Sequence, residues 1–237
     1  MVKDQSLERV FISFSSSGKE TVSLLKSYEE FKGKYHDSWM TVDVPILKQL
    51  TLSGVVQVLP LRDQIQRRVF WLRVGLWKPS ECSNDSMLQA GGLCGDATIV
   101  EPMTQVAGIS IIFDFKDIGM SQVKALTPAF AKKMIYFLTG CLPVRVTGLH
   151  VINEPSIFSM VFAVFKAFLT EKMKKKLYFH GSNMQSLHEH ITPSCLPPEL
   201  GGTAGEVDPE GWYKVLMGDV IQKGLQDLGY KFVNEDK

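Results

Sequence analysis

Read for the spacing of its apolar residues, the chain alternates between segments of helical period and segments of strand period. Residues 19–32 place Val22, Leu25, Tyr28 and Phe31 on one helical face, with Gly18 and the Ser15–Ser17 run ahead as a break or cap. Pro45 opens a second short helix over 45–52, ending near Gly54. From Val55 the period changes. Residues 55–59 and 68–74 are rich in β-branched and aromatic side chains, and 60–63 between them reads as a turn. Residues 84–106 are helical in outline but weakened by Gly91, Gly92 and Gly95. Residues 107–114 and 144–152 read as strands, and 177–180 as a short one. Between them, residues 127–138 form a helix with Thr127 as N-cap and Pro128 in its first turn. Pro193, Pro197, Pro198, Gly201 and Gly202 mark a loop. A last helix covers 209–226 with Trp212, Val215, Leu216 and Val220. Strands alternating with helices predict an α/β fold whose sheet is built through helical crossovers.

The run from Asn153 to Lys176 stands apart. It reads as one helix, capped by Asn153 with Glu154 and Pro155 in its first turn. Its first half is apolar on nearly every face, through Ile157, Phe158, Met160, Val161, Phe162, Val164, Phe165, Phe168 and Leu169. Its end carries Lys172, Lys174, Lys175 and Lys176, where cations suit a helix C-terminus. Such a helix must be covered all round, by protein, by membrane or by a bound apolar molecule. Interrupted by Lys166, the apolar part is shorter than the ~20 residues a membrane span requires. A buried core helix with a solvated tail and a lid over a lipid cavity both satisfy the pattern.

Composition narrows the function classes. A net charge of +1 gives no general attraction to nucleic acid, so an anion site must be local, and the lysines at 172–176 are the obvious cluster. Cys82, Cys94, Cys141 and Cys195 show neither close pairing nor metal-type spacing, and reduced thiols in a cytoplasmic protein are expected. The first residues lack the apolar stretch of a signal peptide. No G-x-S-x-G elbow, dinucleotide fingerprint or phosphate loop occurs, and Gly91-Gly-Leu-Cys-Gly95 matches none of them. His36, His150, His180, His188 and His190 are not at metalloprotease spacing, and structural or surface roles are expected for each. Asp114, Glu154 and Glu171 read as capping or ion-pairing groups. The expectation is a protein that is not an enzyme and needs no metal or cofactor.

Three segments carry a recognisable pattern in order: Gly108 to Gly119 (GISIIFDFKDIG), Leu142 to Pro155 (LPVRVTGLHVINEP), and Phe168 to Lys172 followed by Phe179-His-Gly181 and Leu196 to Gly202 (LPPELGG). Over residues 55–205 the chain resembles the CRAL-TRIO lipid-binding family, and within it the branch that binds tocopherol and retinaldehyde. The resemblance implies an α/β sandwich whose mixed sheet floors an apolar cavity closed by a gate helix, here Asn153 to about Lys176. It implies a shortened N-terminal helical lobe over 1–54, the lipid-binding domain over 55–205, and a C-terminal helix and tail over 206–237.

By the same resemblance the cavity would be lined by Ile109, Phe113, Leu126, Met134, Leu138, Leu142, Val144, Val146, Leu149, Phe158 and Val161. Arg145, Lys172 and Lys176 would form the phosphoinositide-binding cleft. The chain departs from the branch where Thr147 replaces a second basic residue and where Phe11-Ile-Ser-Phe-Ser15 lacks two arginines. Gly91 and Gly95 stand where the tocopherol-binding relative offers serines to its ligand. The implied function is a monomeric cytoplasmic carrier that encloses one hydrophobic molecule and exchanges it at phosphoinositide-containing membranes, transiently docked. A lipid-sensing regulatory or scaffold module is the rival, and transfer between vesicles separates the two.

Overall fold

Five strands form the central sheet, in the order β2 (Val56–Val58), β3 (Arg68–Arg73), β4 (Ile109–Asp114), β5 (Val146–Ile152) and β6 (Leu177–Gly181). The β2–β3 pair is antiparallel, joined without a crossover helix through residues 59–67, and β3 to β6 run parallel. Parallel neighbours need crossovers, and helices supply them. These are α4 (Asn84–Ile99) and α5 (Pro102–Ala107) before β4, then α6 (Met120–Ala125) and α7 (Pro128–Tyr136) before β5. The segment with α8 (Phe158–Lys166) and α9 (Glu171–Lys174) leads to β6. The structure is a computed structural model and describes residues 18–234. The expected cap at Ser15–Ser17, the charged first residues and the Phe11–Ser15 segment lie outside the described residues.

Both faces of the sheet are covered, which is why its strands read as nearly continuous apolar runs. Along β4, Ile109, Ile111 and Phe113 face the crossover helices. On the other face Ile112 joins Val69, Trp71 and Ile152 in a second core, closed by Leu187, Ile191, Leu196 and Leu200. Leu187 belongs to α10 (Met184–His188), and the rest to the Pro/Gly-rich segment after it. That segment was expected as loop, and it is an ordered cover held by short 3-10 turns at Pro193–Cys195 and Pro198–Leu200.

N-terminal to the sheet lie α1 (Gly18–Lys34), α2 (His36–Trp39), β1 (Thr41–Asp43) and α3 (Val44–Leu52), whose N-cap Asp43 accepts a hydrogen bond from the Ile46 amide at 3.2 Å. Leu25, Tyr28 and Phe31 of α1 are buried as the spacing predicts, but Val22 is 44 % exposed. The single helix expected over 209–226 is two, α11 (Pro209–Leu216) and α12 (Asp219–Asp227), parted at Met217–Gly218. After them β7 (Lys231–Val233) pairs in parallel with β1, a two-stranded sheet that no sequence pattern announced. The buried carboxylate of Asp96 in α4 ties these pieces together, accepting from the hydroxyls of Tyr28 and, at 2.7 Å, Tyr230. Burial pushes the Asp96 carboxyl above the usual carboxylate range, and the two hydroxyls oppose that shift.

Candidate functional site

Between the sheet and helices α4 and α7 lies an apolar void of about 80 Å3, walled by Ile109, Ile111, Phe113, Phe70, Met134 and others, with no polar side chain in its lining. A second void of about 70 Å3 adjoins it under α8. Phe113, Phe115, Met134 and Leu138 border both, so the two are compartments of one apolar interior divided by those side chains. Lacking polar partners, a water molecule would find none of the two to four hydrogen bonds it needs there. A lipid-sized pocket is ~300–1,000 Å3, so such a guest fits only when the dividing side chains turn aside or α8 lifts. Gly91, Gly92 and Gly95 line the roof, and a Cβ at Gly91 would meet nothing within 4 Å.

Of the residues expected to line the cavity, Ile109, Leu126 and Leu142 border the first void, Phe113, Met134 and Leu138 border both, and Leu149 and Phe158 border the second. Val144, Val146 and Val161 border neither. Val144 and Val161 are buried in the core, and Val146 packs half-buried against it. The resemblance missed Phe115, Phe130, Phe162 and Phe165, all of which line a void. For the last two, their spacing from Phe158 along one helical face was the available signal.

The expected continuous helix from Asn153 to Lys176 breaks twice, before α8 and between α8 and α9. Asn153 has φ +53°, a left-handed conformation that Asn tolerates, so it turns the chain out of β5 and is no N-cap. Its amide donates to Gly181 O at 2.7 Å and its side-chain amide donates to Asp114 Oδ1 at 2.9 Å. Glu154 Oε1 in turn accepts from the Gly181 amide at 3.1 Å. Trp71 Nε1 donates to the other oxygen of Asp114 at 3.3 Å, which ties this turn to β3, β4 and β6. The second break falls at 167–170, where Thr170 caps α9 by accepting from the Met173 amide at 3.2 Å.

Between the two breaks, α8 is not covered all round. Phe158 and Val161 are buried and Phe162 and Phe165 half-buried, while Met160 is 51 % exposed and Ala163 faces outward. Among the described residues, the hydrogen bonds made by 155–169 stay within that segment. Apolar packing therefore holds α8 to the body, with Phe158 against Phe115 (4.5 Å between ring centroids) and Phe162 edge-on to Phe179 (5.1 Å).

At the opposite end of the strands, Arg145, Lys172 and Lys176 come together. Lys176 is half-buried and donates from Nζ to Val146 O at 2.6 Å. Burial, then Lys172, then Arg145 push its ammonium pKa down. Arg145 is exposed and its guanidinium donates to Val106 O. Thr147 donates to Ile109 O at 2.8 Å and adds no charge.

Sequence reasoning missed an imidazole cluster on the far face of the sheet. His150 Nδ1 lies 3.0 Å from His180 Nε2, and His180 Nδ1 lies 2.8 Å from Ser186 Oγ. Tyr178 and His190 stack beside them. Burial first, then His180, His190 and Arg67, press the His150 pKa down to about 3. His150 and His180 share a face of adjacent strands, a relation visible only once the sheet order is known. Among the described residues no cluster of His, Cys, Asp or Glu suits a metal ion, and no helix is long and apolar enough to cross a membrane.

The CRAL/TRIO domain model matches residues 52–202, which include the whole five-stranded sheet, both voids and the segment from Asn153 to Lys176. The chain belongs to the CRAL/TRIO domain family. Alpha-tocopherol transfer protein-like from Homo sapiens is 36% identical over 196 residues, covering 83% of this chain and 57% of its own. Clavesin-1 from Xenopus laevis is 31% identical over 201 residues, covering 84% and 60%. The chain thus spans 57–60% of the length of these relatives. The crystal structure of Sfh5 superposes with a TM-score of 0.62 at 16% identity, over 96% of this chain and 80% of the other, a likeness of fold.

Proposed function

We propose that this CRAL/TRIO chain encloses one small hydrophobic molecule between the sheet and α8, and exchanges it at phosphoinositide-containing membranes. The observation that carries the reading is a wholly apolar interior, one wall of which is a helix held by apolar contact alone; the breaks that flank it at Asn153 and 167–170 are its hinges in this proposal. A tocopherol-, retinoid- or other isoprenoid-like guest suits it, because such molecules present long apolar surface and few polar atoms. At ~25 cal/mol per Å2, enclosing a few hundred Å2 of ligand stabilises the complex by several kcal/mol. The same figure opposes escape into water, so release calls for a second apolar phase. A bilayer supplies it: α8 exchanges its contacts with the body for contacts with lipid, while Arg145, Lys172 and Lys176 meet anionic headgroups, each contributing ~1 kcal/mol.

Transfer of a fluorescent tocopherol or retinoid analogue between donor and acceptor vesicles tests the reading. Accelerated transfer is expected, faster with a phosphatidylinositol phosphate in the acceptor. Lys172→Ala with Lys176→Ala should remove that lipid dependence and leave loading intact. Stoichiometric loading with no transfer would favour a lipid sensor, and neither loading nor transfer would end the carrier reading.

A further inference from the structure

We infer that the edge formed by α5 and the 60–67 turn is a second bilayer-contacting surface, beside the basic cluster and distinct from α8. Met103 and Val106 are 46 % and 57 % exposed. Three apart on α5, they share one helical face. Leu61 and Ile65, also exposed, belong to the turn whose Arg62 donates to Glu101 and, at 2.9 Å, to Thr104 Oγ1 of α5. The edge therefore presents apolar side chains on a firmly bonded frame.

The charges beside this edge choose its partner. Arg62 and Arg68 are both occupied by Glu101. Arg145, Lys172 and Lys176 pair with no carboxylate among the described residues. Arg145 holds its guanidinium against the Val106 carbonyl, so the unpaired cations begin where the apolar side chains end. Unpaired cations rimming exposed apolar groups match an anionic bilayer surface, with headgroups for the charges and an acyl boundary for the side chains. Lys172 and Lys176 follow directly on the far end of the hinged segment, so docking by this edge brings the mouth of that segment to the same membrane.

This inference rests on the membrane-exchange reading, and the test separates the two. Cosedimentation of the full chain with phosphatidylcholine vesicles carrying a phosphatidylinositol phosphate compares wild type, Met103→Ser/Val106→Ser and Lys172→Ala/Lys176→Ala. Removing apolar contact from two half-exposed side chains is expected to weaken binding about tenfold, at low and at high salt alike. The lysine variant should lose only the salt-sensitive part. Ligand loading and thermal unfolding of the serine variant should equal wild type. A second readout uses Val106→Cys carrying a polarity-sensitive dye, selective because all four native cysteines are buried. Its emission should shift to the blue on adding vesicles. Wild-type binding by the serine variant, or an unshifted dye, overturns the inference and leaves the carrier reading standing. Early unfolding of the serine variant, or self-association of wild type without vesicles that the variant abolishes, also overturns it, in favour of a structural or protein-binding face. Failure of wild type to bind vesicles at all removes both.

Discussion

At the residue scale, neighbouring glycines of α4 make opposite predictions. Gly91 opens onto the void, so Gly91→Ser should fold normally, with stability changed by no more than about 0.5 kcal/mol. It places a hydroxyl in an otherwise apolar lining and should raise affinity for a hydroxylated ligand over its hydrocarbon analogue, read by competitive displacement. A Cβ at Gly92 would stand 2.3 Å from the Trp39 ring, so Gly92→Ala should destabilise by about 1–3 kcal/mol in denaturant titration. The glycines were legible as a weakened helix, but which of them meets a ring and which meets space depended on packing. The imidazole cluster makes a pH prediction. Folded His150 protonates only near pH 3, against 6.5 unperturbed, with His180, His190, Tyr178 and Arg67 around it and Glu189 beside His180. Above pH 6.5 neither state gains a proton and nothing is lost. As pH falls from there toward 3, the unfolded chain binds protons that the fold refuses. Stability then declines by up to about 1.4 kcal/mol per pH unit for this histidine. Unfolding midpoints at pH 7 and pH 5 should differ accordingly, and His150→Gln should shrink the difference. Equal slopes for both proteins would contradict this origin.

At the element scale, the segment from Asn153 to Lys176 shows how far periodicity reaches. The apolar spacing located α8 but not its buried face: the segment read as apolar on nearly every side, whereas Phe158 and Val161 are buried, Phe162 and Phe165 half-buried, and Met160 exposed. It overran both ends. Asn before Glu-Pro reads as a cap, yet the bonds from Asn153 to Asp114 and Gly181 hold it left-handed, and those partners lie far away in sequence. The second break had a local signal in Thr170-Glu-Lys, a helix start that the run of lysines masked. Asn153→Ala removes a side-chain hydrogen bond and the residue suited to φ +53°, and should cost about 1–3 kcal/mol. Loosening the hinge should also quicken ligand release in stopped-flow dilution. Because apolar packing alone ties α8 to the body, its amides should exchange hydrogen well before those of β4 and β5, and bound ligand should slow them. Uniform protection across α8 and the sheet would argue against a hinged lid.

At the scale of the whole molecule, the alternation of strand and helix predicted a sheet with crossovers, and the parallel order β3 to β6 follows it. The cover on the far face, the β1–β7 pair and the split C-terminal helix were hidden, because each rests on contacts between distant residues with no period of its own. The apolar interior was legible only through resemblance, since core side chains and cavity side chains have one composition. What separates them is whether atoms fill the space, and here Phe113, Phe115, Met134 and Leu138 leave it divided and incompletely filled. The central claim is that this space receives an oily guest. Native mass spectrometry of the protein, with lipid analysis of its organic extract, tests that claim most directly. One isoprenoid-like or similarly apolar molecule per chain is expected, lost on exposure to acceptor vesicles. Repeated recovery of folded protein with no apolar molecule in stoichiometric amount, and none taken up on incubation with such lipids, would contradict it.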